Sequence, residues 1–87
     1  MKATIWSKYH CPYCDQAKAL LKSKDRQYEE IILDVGQQKV DGTKYISRDD
    51  LIAKIPSART MPQIIMSNES SSIHVGGFVE LKKYLHG

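Results

Sequence analysis

The spacing of apolar residues predicts a strand, a helix and a second strand in the first part of the chain. Residues 3–7, ATIWS, alternate between apolar and polar positions and contain β-formers, which predicts a strand. Residues 11–24 are predicted to form a helix, because their apolar positions recur at helical spacing on one face. The residues on that face are Cys14, Ala17, Leu20 and Leu21. Residues 28–34, YEEIILD, are predicted to form the second strand.

The sequence pattern of the second half of the chain predicts a loop, a helix, two strands and a final helix. Residues 35–46 are polar and contain two glycines, so a loop is expected there. Residues 47–55 are predicted to be a short helix, because Ser47 and Asp50 resemble a capping box at its start. The remaining predicted elements are a strand at 62–66, a turn at 67–71, a strand at 72–75, a glycine pair at 76–77 and a helix at 78–87.

This order, β-α-β-α-β-β-α, predicts an α/β fold with a four-stranded mixed sheet and helices on both faces. The first two strands are joined through a helix and are expected to be parallel, with a right-handed crossover. The last two are joined by a short turn and are expected to be antiparallel. With 87 residues, the chain is expected to form one domain, residues 1–87.

Composition and charge narrow the range of partners. The formal charge is +3, which favours anionic small molecules or acidic protein surfaces and is too weak to indicate nucleic acid. No apolar run approaches the ~20 residues of a membrane span, so no membrane association is expected. No secretory signal is expected either, and the protein is predicted to be cytoplasmic. A permanent structural disulfide is disfavoured in that compartment.

The two cysteines, Cys11 and Cys14, fall at the predicted junction between the first strand and the first helix. A structural disulfide there would close a loop of about four residues and remove only ~2 kcal/mol of unfolded-state entropy. A structural zinc site needs four ligands, but His10, His74 and His86 lack the paired spacing of zinc ligands. A C-x-x-C motif at a strand–helix junction near a βαβ unit instead indicates a redox-active pair.

The position of Cys11 predicts that its sulfur is the nucleophile. Only a thiolate attacks a disulfide, and an ordinary thiol, with a pKa near ~8.5, is mostly protonated at neutral pH. Cys11 is expected to cap the helix, with Pro12 in its first position, where unpaired N–H groups and the helix dipole favour an anion. Lys8 and the S–H of Cys14 are expected to add to this effect. Cys14, predicted to be buried, is then the resolving thiol.

These residues resemble the dithiol glutaredoxin family of the thioredoxin superfamily. CPYC at 11–14 is that family's active-site motif, ARTMPQI at 58–64 resembles its T-V-P segment, and HVGGF at 74–78 resembles its glycine-pair motif. The resemblance implies a thioredoxin-like fold with strand order 4-3-1-2 and a cis peptide bond before Pro62. The short length and the polar segment 35–46 are most similar to phage-encoded glutaredoxins.

The resemblance also implies a glutathione-binding site. The main chain of Met61 is expected to pair with the cysteine part of glutathione. Lys8 and Arg59 are expected near its glycine carboxylate, where Arg binds as a fork and Lys as a point charge. The glutathione-binding residues implied by the resemblance are Lys8, Tyr13, Arg59, Thr60, Met61, Pro62, Gly76, Gly77, Phe78 and Val79.

The γ-glutamyl end of glutathione is expected at the start of the last helix. The glycine pair lets the backbone approach this end closely, and N–H groups at the helix start form an anion site. Many glutaredoxins carry Asp or Ser at the position of Val79, where the side chain caps the helix and Asp pairs with the glutathione amine. Valine does neither. Glu80, one residue later, is placed either to meet the amine or to repel the carboxylate.

The resemblance implies a glutathione-dependent thiol–disulfide oxidoreductase that reduces protein disulfides and glutathione mixed disulfides. It also implies that no cofactor is permanently bound and that glutathione is the reductant. The protein is expected to be a monomer in the cytoplasm, which is the host cytoplasm if the chain is phage-encoded.

Three alternatives stay open. One is a thioredoxin-like electron donor to a dedicated partner such as ribonucleotide reductase. Another is an iron–sulfur carrier, which Pro12 disfavours because cluster-binding relatives generally lack proline there. The third is a non-catalytic binding module, against which the presence of both cysteines argues.

Overall fold

The computed structural model describes residues 2–56, 58 and 60–86. In this part of the chain the strands are β1 (Lys2–Ser7), β2 (Tyr28–Leu33), β3 (Lys44–Ile46), β4 (Gln63–Ser67) and β5 (Ser72–Gly76). The helices are α1 (Pro12–Ser23), α2 (Arg48–Lys54) and α3 (Phe78–His86). None of these helices is long and apolar enough to cross a membrane. The predicted α/β class is confirmed.

The strands form one mixed sheet in the order β3-β2-β1-β4-β5. β1 and β2 are parallel and are connected through α1, as the sequence predicts. β4 is antiparallel to both β1 and β5. The four predicted strands therefore lie in the predicted order 4-3-1-2, with one further strand beside β2.

That further strand corrects the predicted loop at 35–46. Lys44–Ile46 pair in parallel with Ile31–Leu33 at the edge of the sheet. Ile46 also packs against the buried cluster that contains Trp6. A strand of three residues is too short to show a period, so its pairing with the open edge of β2, rather than its own pattern, determines it.

Buried side chains lie on both faces of the sheet. Alternation along β1 sends Ala3 and Ile5 to one face and Trp6 to the other. The first cluster consists of Ala3, Ile5, Ala17, Leu21, Ile64, Met66 and Leu81, and the second of Trp6, Leu33, Leu51 and Ile55. α1 and α3 therefore cover one face and α2 the other, which confirms helices on both faces.

The burial of α1 follows its sequence pattern. Cys14, Ala17 and Leu21 are buried, and Leu20 packs at the edge of the first cluster. Burying a Leu side chain contributes roughly 1.5–3 kcal/mol, so this face holds α1 firmly on the sheet. The start of the helix is thereby fixed at the end of β1.

Candidate active site

The cysteine pair lies where β1 leads into α1. Cys11 and Cys14 are joined by a disulfide, with their Cα atoms 5.2 Å apart. Cys11 is the N-cap residue of α1 and has an extended backbone, and Pro12 occupies the first turn, as the sequence predicts. The N–H of Cys14 donates to the Cys11 sulfur at 3.2 Å. The sulfur therefore receives one of the N–H groups that a helix leaves unpaired at its start.

Both cysteines are shielded from solvent in this oxidised state. Cys14 is 1 % exposed and Cys11 is 6 % exposed. The Cys11 sulfur lies 3.8 Å from the carbonyl oxygen of Met61, across the site. Cys11 is therefore the more accessible of the two cysteines.

The loop before β4 forms the wall opposite the disulfide. The Met61–Pro62 peptide bond is cis, which confirms the implied isomer. The buried side-chain amide of Gln63 donates to the Thr60 carbonyl at 2.7 Å, and its oxygen lies 2.8 Å from a ring nitrogen of His74. Gln63 thus fixes the loop from β4. The only sequence signal for this role is a polar residue at a core-facing strand position.

The histidines do not join the cysteines. His74 contacts Gln63 from β5, His86 lies in the last turn of α3, and His10 is exposed in the loop before Cys11. Among the residues that the structure describes, no three or more His, Cys, Asp or Glu side chains gather into a group able to hold a metal ion.

A groove of about 470 Å³ beside the cysteine pair brings together most of the residues implied to bind glutathione. Its lining residues are Lys8, Tyr13, Thr60, Met61, Pro62, Gly77, Phe78, Val79 and Glu80. All except Glu80 belong to the implied set. Gly76 precedes Gly77 in the chain and is not in the groove lining, and Arg59 lies outside the described residues. The glutathione-binding roles of all these residues stay predictions.

An aromatic pair forms one side of this groove. The rings of Tyr13 and Phe78 are stacked, with centroids 6.2 Å apart and an interplanar angle of 30°. Tyr13 comes from the first turn of α1 and Phe78 from the first residue of α3, so the pair joins the two helix starts. The stacked rings therefore join the turn that carries the cysteine pair to the start of α3.

The start of α3 is capped by its own glutamate. Glu80 Oε1 accepts a hydrogen bond from the Gly77 N–H at 3.0 Å. Gly77 precedes the first helical residue, so this bond is the returning half of a capping box. Gly76 has φ +116°, a backbone conformation that L residues rarely adopt, so any other residue there would be strained. The sequence signal for this cap is the spacing Gly77-x-x-Glu80.

A partly buried carboxylate ties α1 to the sheet beneath the site. The buried hydroxyl of Ser7 donates to Glu30 Oε2 at 2.6 Å, and Lys18 donates to the same oxygen at 2.8 Å. Burial raises the pKa of Glu30, but the hydrogen bonds from Lys18 and Ser7 outweigh it and hold that pKa below its usual value. The sequence pattern does not show this network, because its members lie on three different elements.

Segment 35–46 contacts the active-site loop through two tyrosines. The hydroxyls of Tyr9 and Tyr45 lie 3.3 Å apart, and the Val40 N–H donates to the Tyr45 hydroxyl at 2.8 Å. The sequence assigns no role to Tyr9. The structure makes it the contact between segment 35–46 and the loop before Cys11.

The fold and the paired cysteines at a strand–helix junction define a thioredoxin-like protein. The glutaredoxin family model matches residues 3–70, and the chain therefore belongs to the glutaredoxin family. This confirms the family to which the sequence motifs point, while the likeness to phage-encoded members stays a prediction.

Individual relatives agree with this assignment. The chain is 38 % identical over 73 residues to glutaredoxin 1 of Rickettsia felis, covering 84 % of this chain and 61 % of that protein. It thus spans about three fifths of that relative's length. It is 35 % identical over 77 residues to glutaredoxin 3 of Escherichia coli K12, covering 88 % of this chain and 77 % of that one. The crystal structure of glutaredoxin 1 from Francisella tularensis superposes with a TM-score of 0.64 at 26 % identity, covering 99 % and 98 % of the two chains.

Proposed function

We propose that this chain is a glutathione-dependent thiol–disulfide oxidoreductase that reduces protein disulfides and glutathione mixed disulfides. One observation carries the proposal. The Cys11 sulfur caps a helix start, is bonded to Cys14, and lies beside a groove lined by residues that glutaredoxins use for glutathione.

The reaction begins with the reduced pair. The Cys11 thiolate attacks one sulfur of the substrate disulfide, forms a mixed disulfide and releases the other sulfur as a thiolate. The Cys14 N–H, which already donates to the Cys11 sulfur, stabilises the attacking anion together with the other N–H groups of the first turn.

Two routes complete the cycle. In the dithiol route, Cys14 attacks the Cys11 sulfur, releases the second substrate thiol and forms the disulfide described above. Two molecules of glutathione then reduce this disulfide and leave as glutathione disulfide. In the monothiol route, glutathione itself attacks the mixed disulfide on Cys11, and Cys14 takes no part.

Glutathione occupies the groove in this proposal. Its cysteine part pairs with the main chain of Met61, whose carbonyl oxygen is 3.8 Å from the Cys11 sulfur. Its glycine carboxylate meets Lys8 and Arg59, and its γ-glutamyl end reaches the start of α3. The cycle needs no permanently bound cofactor. We expect a monomer in the cytoplasm, where the glutathione pool is reduced and where glutaredoxins, at about −200 to −230 mV, exchange with it.

The test is reduction of a glutathionylated peptide with two alternative electron sources. Turnover with glutathione and glutathione reductase, and none with thioredoxin reductase, is the expected result. Turnover with thioredoxin reductase alone contradicts the proposal and favours a dedicated thioredoxin-like donor. Visible absorbance of protein purified without oxygen favours an iron–sulfur carrier instead.

A further inference from the structure

The groove contains a carboxylate at the end where the proposed function places a carboxylate of the ligand. Glu80 lines the groove, and its side chain folds back over Gly76 and Gly77 with Oε1 on the Gly77 N–H at 3.0 Å. Among the described residues, no Lys, Arg or His forms an ion pair with Glu80. Its charge is therefore not neutralised by a described neighbour.

This charge changes what the start of α3 attracts. A helix N-terminus acts as roughly +0.5 of a charge, so a full negative charge in the first turn more than cancels it for an incoming anion. Glu80 also occupies one N–H, and the neighbouring Val79 side chain has no polar atom to offer. The groove lining thus carries side chains of both signs, the ammonium of Lys8 and the carboxylate of Glu80.

We propose that Glu80 is a specificity-determining residue that weakens binding of the γ-glutamyl end of glutathione. The inference rests on the proposed function. In the proposed function the γ-glutamyl carboxylate meets the N–H groups at the start of α3, and Glu80 already caps that same turn through the Gly77 N–H, so the two carboxylates compete for one positive helix end. The site therefore prefers mixed disulfides whose small thiol has no carboxylate at this position.

The test compares two peptides, one disulfide-bonded to glutathione and the other to 2-mercaptoethanol, which is uncharged. Glu80→Gln keeps an oxygen for the Gly77 N–H and removes the charge. We expect the second-order rate constant for the reduced protein with the glutathionylated peptide to rise about three- to tenfold at low salt. The rate constant with the mercaptoethanol peptide stays unchanged, and the gain shrinks as salt screens the charge.

Glu69→Gln is the matched control. Glu69 is exposed between β4 and β5, away from the groove lining, and its replacement changes the net charge by the same amount. Its rate constants with both peptides should equal those of the unchanged protein. If Glu69→Gln raised the rate constant with the glutathionylated peptide as much as Glu80→Gln does, the effect would come from net charge, and the specificity role of Glu80 would be overturned.

A third peptide carries glutathione without its α-amino group. Its rate constant should rise more with Glu80→Gln than that of the glutathionylated peptide does.

The remaining outcomes separate the two proposals. Equal rates for Glu80→Gln and the unchanged protein overturn the role of Glu80 and leave the proposed function intact. A slower reaction of Glu80→Gln with the glutathionylated peptide also overturns it, because Glu80 then pairs with the ligand ammonium. No reaction of the unchanged protein with either peptide overturns the proposed function and the inference that rests on it.

Discussion

The starts of α1 and α2 use the same local geometry with different cap atoms. Cys11 and Ser47 both have extended backbones, and each accepts a hydrogen bond from the N–H of the residue three positions later. The distances are 3.2 Å to the sulfur of Cys11 and 3.1 Å to the hydroxyl of Ser47. Their surroundings differ, because Ser47 is exposed and Cys11 is almost fully buried.

The difference shows what turns a helix cap into a reactive group. A serine hydroxyl stays neutral under cellular conditions, so at Ser47 the cap stabilises only the helix. A thiol, with an ordinary pKa near ~8.5, needs only modest stabilisation to ionise at neutral pH. The α1 start also faces the Met61 loop and the groove, whereas the first turn of α2 faces solvent. Reactivity therefore requires both an ionisable sulfur and a neighbouring binding surface.

Cys11→Ser makes the α1 start resemble that of α2 and should have the largest effect. We expect turnover of glutathionylated peptide to fall by ~10³-fold or more, because the nucleophile is lost. Serine is a preferred N-cap residue, so the melting temperature should match that of the reduced unchanged protein. Retained turnover in this variant would show that Cys11 is not the nucleophile.

Cys14→Ser should abolish the dithiol route and leave the monothiol route active. The Cys14 sulfur resolves the bond between Cys11 and a protein substrate, so reduction of protein disulfides should fall to background. Deglutathionylation should persist, because free glutathione replaces the resolving thiol. Parallel assays of a disulfide-bonded protein and a glutathionylated peptide measure this division. Equal loss in both would mean that the two cysteine roles are wrongly assigned.

Glu30→Ala tests the anchor that ties α1 to the sheet through Lys18 and Ser7. We expect a loss of about 1–3 kcal/mol in the free energy of unfolding, because the buried Ser7 hydroxyl loses its acceptor. Glu29→Ala is the matched control. In the described part of the chain Glu29 pairs with Lys2 and Lys44, whose side chains are largely exposed, so its loss should cost about 0–1 kcal/mol.

The stabilisation that Glu30 provides should depend on pH. The pKa of Glu30 is lowered in the folded protein, so its stabilisation is fully present above its ordinary value and is lost as the pH falls through the lowered one. The difference in unfolding free energy between the unchanged protein and Glu30→Ala should therefore narrow below pH 4.5. Denaturant titrations at several pH values check this, and a difference that grows on acidification would contradict it.

Ser47→Cys should have the smallest effect and places a thiol at a second helix start, where Arg48, Asp49 and Asp50 share the first turn. In a Cys11→Ser, Cys14→Ser background, the new thiol caps α2 without a second sulfur and away from the groove beside Cys11. The dipole contributes only ~0.3–1 kcal/mol, so its pKa should lie less than about one unit below the ordinary value. Ultraviolet titration of the thiolate compares it with Cys11 in the Cys14→Ser variant. An equal pKa at both positions would show that the helix end alone activates Cys11.

Local patterns in the sequence determine most of the elements and the place of the cysteine pair. The apolar face of α1, the cap at Cys11 and the motifs around Pro62 and Gly76 are short-range features, set by backbone geometry over a few residues. The resemblance that these motifs carry also implied the order of the four predicted strands, which the sheet has with one further strand at its edge.

Tertiary structure alone decides the contacts between distant positions. β3 forms because the edge of β2 is open to Lys44–Ile46, and Glu30 receives hydrogen bonds from Ser7 and Lys18 only once three elements have packed. Gln63 holds the loop through a partner on another strand. Such bonds depend on side-chain directions in the folded chain, and a one-dimensional pattern of apolar and polar residues does not contain those directions.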